Sequence, residues 1–305
     1  MGFELGPNRY GKAGIHIATV ARRGDVHDFA ERMLEVRLEG DFDAVHVEGD
    51  NAPVLPTDTM RSSAYALAFD EPGEELESFA LRYTEYLLGA SPAATQAEAW
   101  LWERPWDRIV VDGTPHPHAF SRGSYLRTAH VLRDRAGAQL SAGLDELYLL
   151  KTKGSAFSGF LRDEFTVLAE TEDRILATKV EARWRYVSTE LDYPAERESC
   201  REAIVRAFAT HDVSRSVQHT LWRMGTSVLE ASPNVEEVTF SLPNLHHVAV
   251  DLSFSGRKND GRVFVVTDQP SGRIEGTVRR SEAARRNRFL WIQHANRSES
   301  LLWSK

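Results

Sequence analysis

The sequence predicts an α+β fold in two halves, each an antiparallel sheet with helices on one face, and three observations support this. The order strands, helices, strands occurs twice along the 305 residues. Strand-like segments alternate apolar and polar residues, whereas helical segments space their apolar residues by three and four. Hairpin-like strands outnumber helices, which favours antiparallel sheets over a doubly wound parallel one. The halves meet near residue 140, giving domains 1–140 and 141–305, although no Pro/Gly linker marks the boundary.

In the first half, "AGIHIATV" and "ERMLEVRLEGDFDAVHV" read as strands and are followed by a segment that starts at Thr57. A helix is expected from Glu74 to Leu88, because Leu76, Phe79, Ala80, Tyr83 and Leu87 recur at helical spacing. Strands return in "AEAWLWER", "IVVDG", "SYLRTAHVLRD" and "LDELYLLKT". The second half opens on a strand with one apolar face, Leu176, Val180, Ala182, Trp184 and Tyr186. Its other face is charged: Lys179, Glu181, Arg183 and Arg185. Pro194 suits a first helical turn, and Cys200, Ile204 and Phe208 form an apolar stripe behind it. A second helix, Ser214 to Ala231, carries Val217, Leu221, Met224 and Val228. The strands "VEEVTFSL", "HHVAVDLSF", "GRVFVVTD" and "GRIEGTVRR" complete the half, and the tail after Arg280 has no clear pattern.

Composition excludes several classes of function. At 42% hydrophobic and 27% charged, the chain reads as a soluble globular protein with ample core volume. A formal charge of -8 argues against a nucleic-acid partner, which calls for a basic face. Cys200 is the single cysteine, so neither a disulfide framework nor a multi-cysteine zinc site is expected. No apolar run approaches membrane-spanning length, and the N-terminal "MGFELGPNRYGKAG" lacks the apolar core of a signal peptide. Met1-Gly2 begins like a myristoylation site but is followed by Pro7 and Asn8, and "LLWSK" lacks the final Leu of a peroxisomal signal. A cytoplasmic protein is the expectation.

Familiar catalytic templates are missing: no glycine-rich phosphate loop, no G-x-S-x-G elbow, no H-E-x-x-H. His116 and His118 in "TPHPHAF" could form a metal pair if a third His joined them, or could be two solvated rings in a loop kinked by Pro117. Lys12, just ahead of a strand, is a surface charge unless a pocket desolvates it, in which case it could act as a base. Thr57, Asp58 and Thr59 read as a helix cap region, which would also suit an anionic ligand. Arg174 could grip a planar anion through two parallel hydrogen bonds or pair with Asp173 or Glu172. The amide of Gln218, beside Val217, offers a donor and an acceptor that fit an amide-bearing heterocycle. Phe157 is a core or loop anchor, or a ring that stacks on a flat ligand. In "SLPNLHH", alternation puts His246 in step with Val248, Val250 and Leu252, and His247 with Ala249 and Asp251. An ionisable ring in an apolar row beside Pro243-Asn244 is the feature least expected of a plain core strand.

In combination these segments resemble one family. "YGKAGIHI", "GDNAPVLPTDT", "LLKTKGSAFSGFLRDEFTVLAETEDRILATKVEARWRY", "VQHTLWRMG" and "SLPNLHH" strongly resemble urate oxidase, in family order from about Tyr10 to Arg280. The resemblance implies the tunnelling fold, tandem duplicated, with four chains assembling as a homotetramer into a barrel with active sites between subunits. It also implies oxidation of urate by O2 and water to 5-hydroxyisourate and hydrogen peroxide in purine breakdown, with neither metal nor organic cofactor.

Carried over by position, Arg174 and Gln218 would hold urate from one side, Phe157 would stack on it, and Val217 would bind through its backbone. Thr57 and Asp58 would contact the opposite edge from a neighbouring chain. Lys12 and Thr57 would form a proton-relay pair, while Asn244 and His246 would lie over the ring face where O2 or water sits. That gives His246 a reason to sit in its row, and leaves His247 without a role. The chain departs from the family pattern at Pro56, where a small residue is usual, at Leu245, where a lysine is usual, and in the tail. A zinc-dependent relative of the same fold acting on a pterin or GTP, using His116 and His118, is the alternative enzyme. A non-catalytic purine-binding protein is the alternative outside enzymes.

Overall fold

The computed structural model of the chain describes residues 2–267 and 269–281. These fall into two compact units, residues 2–143 with 185–194, and residues 144–184 with 195–281.

In the first unit, strands β1 (Arg9–Arg23) and β2 (Val26–Gly40) form a long antiparallel hairpin. Then come helices α1 (Asp43–Val47), α2 (Thr57–Asp70) and α3 (Leu76–Ala90), followed by β3 (Ala94–Arg104). Strands β4 (Trp106–Val111) and β5 (Thr114–Arg122) make a separate two-stranded hairpin before β6 (Leu126–Asp134). The main sheet runs β1-β2-β3-β6, with the start of β7 (Ala138–Lys151) beyond β6. Register explains the core. Leu34, Val36 and Leu38 lie opposite Leu101, Ala99 and Ala97, and Ala99 and Leu101 lie opposite Val131 and Ala129. All eight are buried, forming one apolar face. Helix α3 lays its predicted stripe on β3 and β6, with Leu76, Phe79, Ala80, Tyr83 and Leu87 buried, and α2 packs on β1. A helix this short is marginal in water, so its stability comes from that face, at about 1.5–3 kcal/mol per large side chain buried.

The second unit contains the end of β7, most of β8 (Leu176–Tyr186) and of α4 (Tyr193–Thr210), and α5 (Val217–Ala231), β9 (Val235–Pro243) and β12 (Arg273–Arg279). The sheet order is β7-β8-β9-β12. Strands β10 (His246–Ala249) and β11 (Phe264–Thr267) pair as a separate ribbon. Helix α5 packs on β9 and β12 through Val217, Leu221, Met224 and Val228, all buried as the spacing predicts. A Cβ on Gly225 would lie 2.4 Å from Val278 Cγ2, so glycine lets α5 approach β12. Cys200 in α4 is fully buried, which pushes its thiol up to about 12 and leaves it inert. The architecture is α+β, antiparallel sheets with helices laid on them, as the sequence predicts.

Three local expectations are corrected. "DFDAVHV" does not continue the second strand, because β2 ends at Gly40 and residues 43–47 turn into α1. Asp43 in the first helical turn and His46, whose Nδ1 is 2.9 Å from the Phe42 carbonyl, suit that short helix. The strand beginning at His246 stops at Ala249 and its apolar row is not core, since Val248 is 57% exposed. The charged row of β8 does not face water. Glu181, Arg183 and Arg185 are buried with polar partners, and burial pushes the Arg183 guanidinium down to about 10. Residues of both rows of β8 are buried, which period-two patterning alone does not reveal.

Gly11 sets the start of β1. A Cβ there would meet the Val36 carbonyl oxygen at 1.8 Å, a backbone atom that cannot move aside. Gly11→Ala is expected to destabilise the chain by about 1–3 kcal/mol, read as a lower denaturant midpoint. An unchanged midpoint would contradict the β1–β2 register.

Candidate active site

Lys12, Thr57 and Asp58 all lie in the first unit. Lys12 pairs with Val36, and a bulge follows it before Ile15, with Gly14 at φ +69. Bulges of this kind re-aim side chains and recur beside active sites. Arg9, Tyr10, Lys12, Glu35 and Arg37 line a cleft of about 370 Å³. Lys12 is half-buried and forms no hydrogen bond or ion pair among the described residues. The hydroxyl of Thr57 is likewise without a partner among them.

The cap expected at residues 57–59 is displaced by one position: Pro56 is the N-cap residue, with φ -55 and ψ 139 and no side-chain cap. Proline fixes φ and favours such an entry, so Thr57 and Asp58 occupy the first turn and their side chains remain available for other contacts. Asp58 pairs with Arg61 at 2.6 Å and is exposed.

Phe157, Arg174, Val217, Gln218, Asn244 and His246 lie in the second unit, tied together by backbone bonds. Phe157 N–H donates to the Thr171 carbonyl at 2.7 Å, and Thr171 N–H returns the bond at 3.0 Å. Arg174 N–H donates to the Ser155 carbonyl at 2.8 Å. On the other side of the same segment, Ser214 N–H donates to the Gly154 carbonyl (2.8 Å) and Ala156 N–H to the Ser214 carbonyl (2.7 Å). Residues 154–157 are therefore bracketed by Arg174 and by the approach to α5. Gly154 needs to be glycine: its φ is +77, and a Cβ would lie 2.4 Å from the Asp212 carbonyl oxygen.

Helix α5 starts at Val217, with Ser216 as a true N-cap whose Oγ accepts from His219 N–H at 3.1 Å. Below it, the Ser214 and Thr220 hydroxyls are 2.6 Å apart, and Thr220 Oγ1 is 3.4 Å from His211 Nδ1. Burial lowers the pKa of His211. Val217 is buried and Gln218 is exposed in the first turn of the helix, the end that carries partial positive charge.

The guanidinium carbon of Arg174 sits 5.3 Å from the centroid of the Phe157 ring, which in turn stacks on Phe160 at 5.0 Å. The expected alternative, an ion pair of Arg174 with Asp173 or Glu172, does not form. The Asp173 carboxylate instead accepts from Gly154 N–H at 2.7 Å. Arg174 Nε is buried with no hydrogen-bond partner among the described residues, and desolvation lowers the group's pKa. A buried, unpaired guanidinium N–H is costly unless a ligand satisfies it.

The Pro-Asn turn is fixed to the start of β8. Leu245 N–H donates to the Ala177 carbonyl at 2.9 Å, and Thr178 Oγ1 donates to the Pro243 carbonyl at 2.8 Å. Asn244 Nδ2 lies 3.4 Å from His246 Nδ1. His246 is half-buried, and His247 Nδ1 lies 3.1 Å from the Leu245 carbonyl, which gives that ring a local structural contact.

His116 and His118 stand on β5 rather than in a loop, edge to face at 4.6 Å, with His27 5.9 Å from His118. Among the described residues, no group of three or more His, Cys, Asp or Glu side chains is placed to hold a metal. Positioning residues such as Ser214 and Thr178 carry no sequence signal of their own, because a buried hydroxyl looks like any other strand or loop residue until its partner is known.

The chain is a duplicated antiparallel α+β protein whose second unit carries Arg174, Phe157 and the N-terminus of α5. A sequence profile of the uricase family matches residues 8–131 and 140–275. The uricase of Arthrobacter globiformis is 40% identical over 289 residues, covering 94% of this chain and 93% of that one. The uricase of Danio rerio is 33% identical over 287 residues, covering 90% and 95%. The crystal structure of the Arthrobacter globiformis uricase superposes with a TM-score of 0.89 at 39% identity, covering 95% of this chain and 99% of that one. The chain belongs to the uricase family.

Proposed function

We propose that this chain oxidises urate with O2 and water to 5-hydroxyisourate and hydrogen peroxide, in purine breakdown. The observation that carries the reading, in a uricase-family chain, is the buried Arg174 Nε without a partner beside the Phe157 ring. A flat, anionic, amide-bearing ring satisfies that guanidinium, stacks on Phe157, and meets the Val217 N–H and the Gln218 amide at the start of α5. Urate must lose protons before it gives an electron to O2. Lys12, drawing on the Thr57 hydroxyl, is the base, and the cationic clamp stabilises the charge that develops. Asn244 and His246 hold O2 or water over the ring face, and His246 passes protons there. Asp58 contacts the ring edge alongside Thr57. Urate supplies the redox electrons, so the reading needs no metal or organic cofactor.

The groups divide between the two units, Lys12, Thr57 and Asp58 in one and the remainder in the other. We propose that each site lies between subunits of a homotetrameric barrel, one subunit giving the first set of groups and its neighbour the second. A cytoplasmic location completes it, consistent with the finding that no helix among the described residues is long and apolar enough to cross a membrane.

Purified protein mixed with urate in air should remove the urate ultraviolet band and release hydrogen peroxide in equal amount. Urate left intact under air rules this function out.

A further inference from the structure

We infer that Tyr10 is a positioning residue for the proposed reaction, its hydroxyl setting the spacing between Lys12 and Thr57. The inference rests on the function proposed above. The Tyr10 hydroxyl donates to the Leu55 carbonyl at 3.1 Å and accepts from the Leu55 N–H at 3.0 Å. One side chain thus takes both backbone groups of one residue in a distant segment.

The links from Tyr10 to the two reacting groups are short and stiff. Along β1, register with β2 is unbroken from Tyr10↔Leu38 to Lys12↔Val36, and the bulge begins only after Lys12. Tyr10 and Lys12 therefore share a face, with Gly11 held tightly against the Val36 carbonyl between them. On the other side, Leu55 connects to Thr57 through Pro56 alone, whose φ is fixed and whose carbonyl accepts the first helical bond from Met60 N–H at 3.1 Å. A shift of Leu55 is therefore transmitted to Thr57.

The ring and the hydroxyl have separable tasks. The ring packs edge to face on buried Phe42 at 4.9 Å and 87°. The hydroxyl contributes the two bonds to Leu55, a half-buried residue whose backbone can turn to water instead, and a further interaction with the Ser91 side chain. Burial raises the pKa of the Tyr10 hydroxyl, so it stays protonated and able to donate near neutral pH. Removing the hydroxyl should leave the fold and loosen the spacing, and small misplacements of reacting groups cost up to about 10² in rate.

The test is Tyr10→Phe in the full-length assembled protein, alone and combined with Lys12→Met. We expect a melting temperature close to the parent's, kcat lowered about tenfold, and binding of an inert urate analogue changed by less than about threefold. In the Lys12→Met background, Tyr10→Phe should cause little further loss, because it acts through that lysine. Parent-like kcat in Tyr10→Phe overturns the inference. An equal loss in both backgrounds also overturns it, since the effect would then be independent of Lys12. A Tyr10→Phe chain that fails to fold shows that the hydroxyl builds the fold rather than the spacing, and overturns it as well. If the parent itself does not consume urate, the function reading falls and takes this inference with it.

Discussion

Lys12→Met lowers urate turnover by about 10²–10⁴-fold, the usual cost of a missing general base, while an inert urate analogue binds within a few-fold of the parent. Methionine keeps an unbranched apolar stem one atom shorter, so β1 and its pairing with Val36 stay in place. What disappears is a half-buried amine with no hydrogen bond or ion pair among the described residues. Steady-state rates at saturating urate, together with analogue binding by calorimetry, separate the two effects. Parent-like turnover at neutral pH would make Lys12 an ordinary surface charge.

The second large effect concerns assembly. Arg174→Ala removes the half-buried guanidinium and is expected to cost about 10²–10³ in rate, and Thr57→Ala removes the hydroxyl of the proposed relay. Each variant alone should be nearly inactive. Co-expressed, they should regain activity, because a site that takes Thr57 from one subunit and Arg174 from another finds both intact in some mixed assemblies. Two-fold symmetry between subunits would generate such sites in pairs. Differentially tagged chains purified through both tags show that mixing has occurred. If those mixed assemblies remain as inactive as either parent, every site is built within one chain.

The candidate residues could be picked out in the sequence, but little of their geometry could. Arg174 stood next to two acids, and an ion pair with Asp173 was the ordinary expectation. The fold instead turns Asp173 toward the Gly154 N–H and leaves Arg174 Nε buried beside Phe157. Thr57 looked like a cap, and only the backbone at Pro56 shows that the cap lies one residue earlier. Tyr10 was visible within "YGKAGIHI", yet no local pattern indicates that its hydroxyl reaches Leu55.

The sequence by itself determined the period of each element, and so which residues of α3 and α5 are buried, because a helix stripe has essentially one way to meet a sheet. The same periodicity, with the family blocks, determined the α+β class. Tertiary structure decided everything that depends on what lies across from a residue. Glu181, Arg183 and Arg185 in the charged row of β8 are buried with polar partners, and Val248 is exposed on β10, which among the described residues pairs with β11 alone in a small ribbon. Gly11, Gly154 and Gly225 are required by backbone or side chains that approach from distant positions. Local pattern reports the preference of a segment for water or core, whereas contact between segments far apart in the chain fixes which groups end up paired, bare or buried.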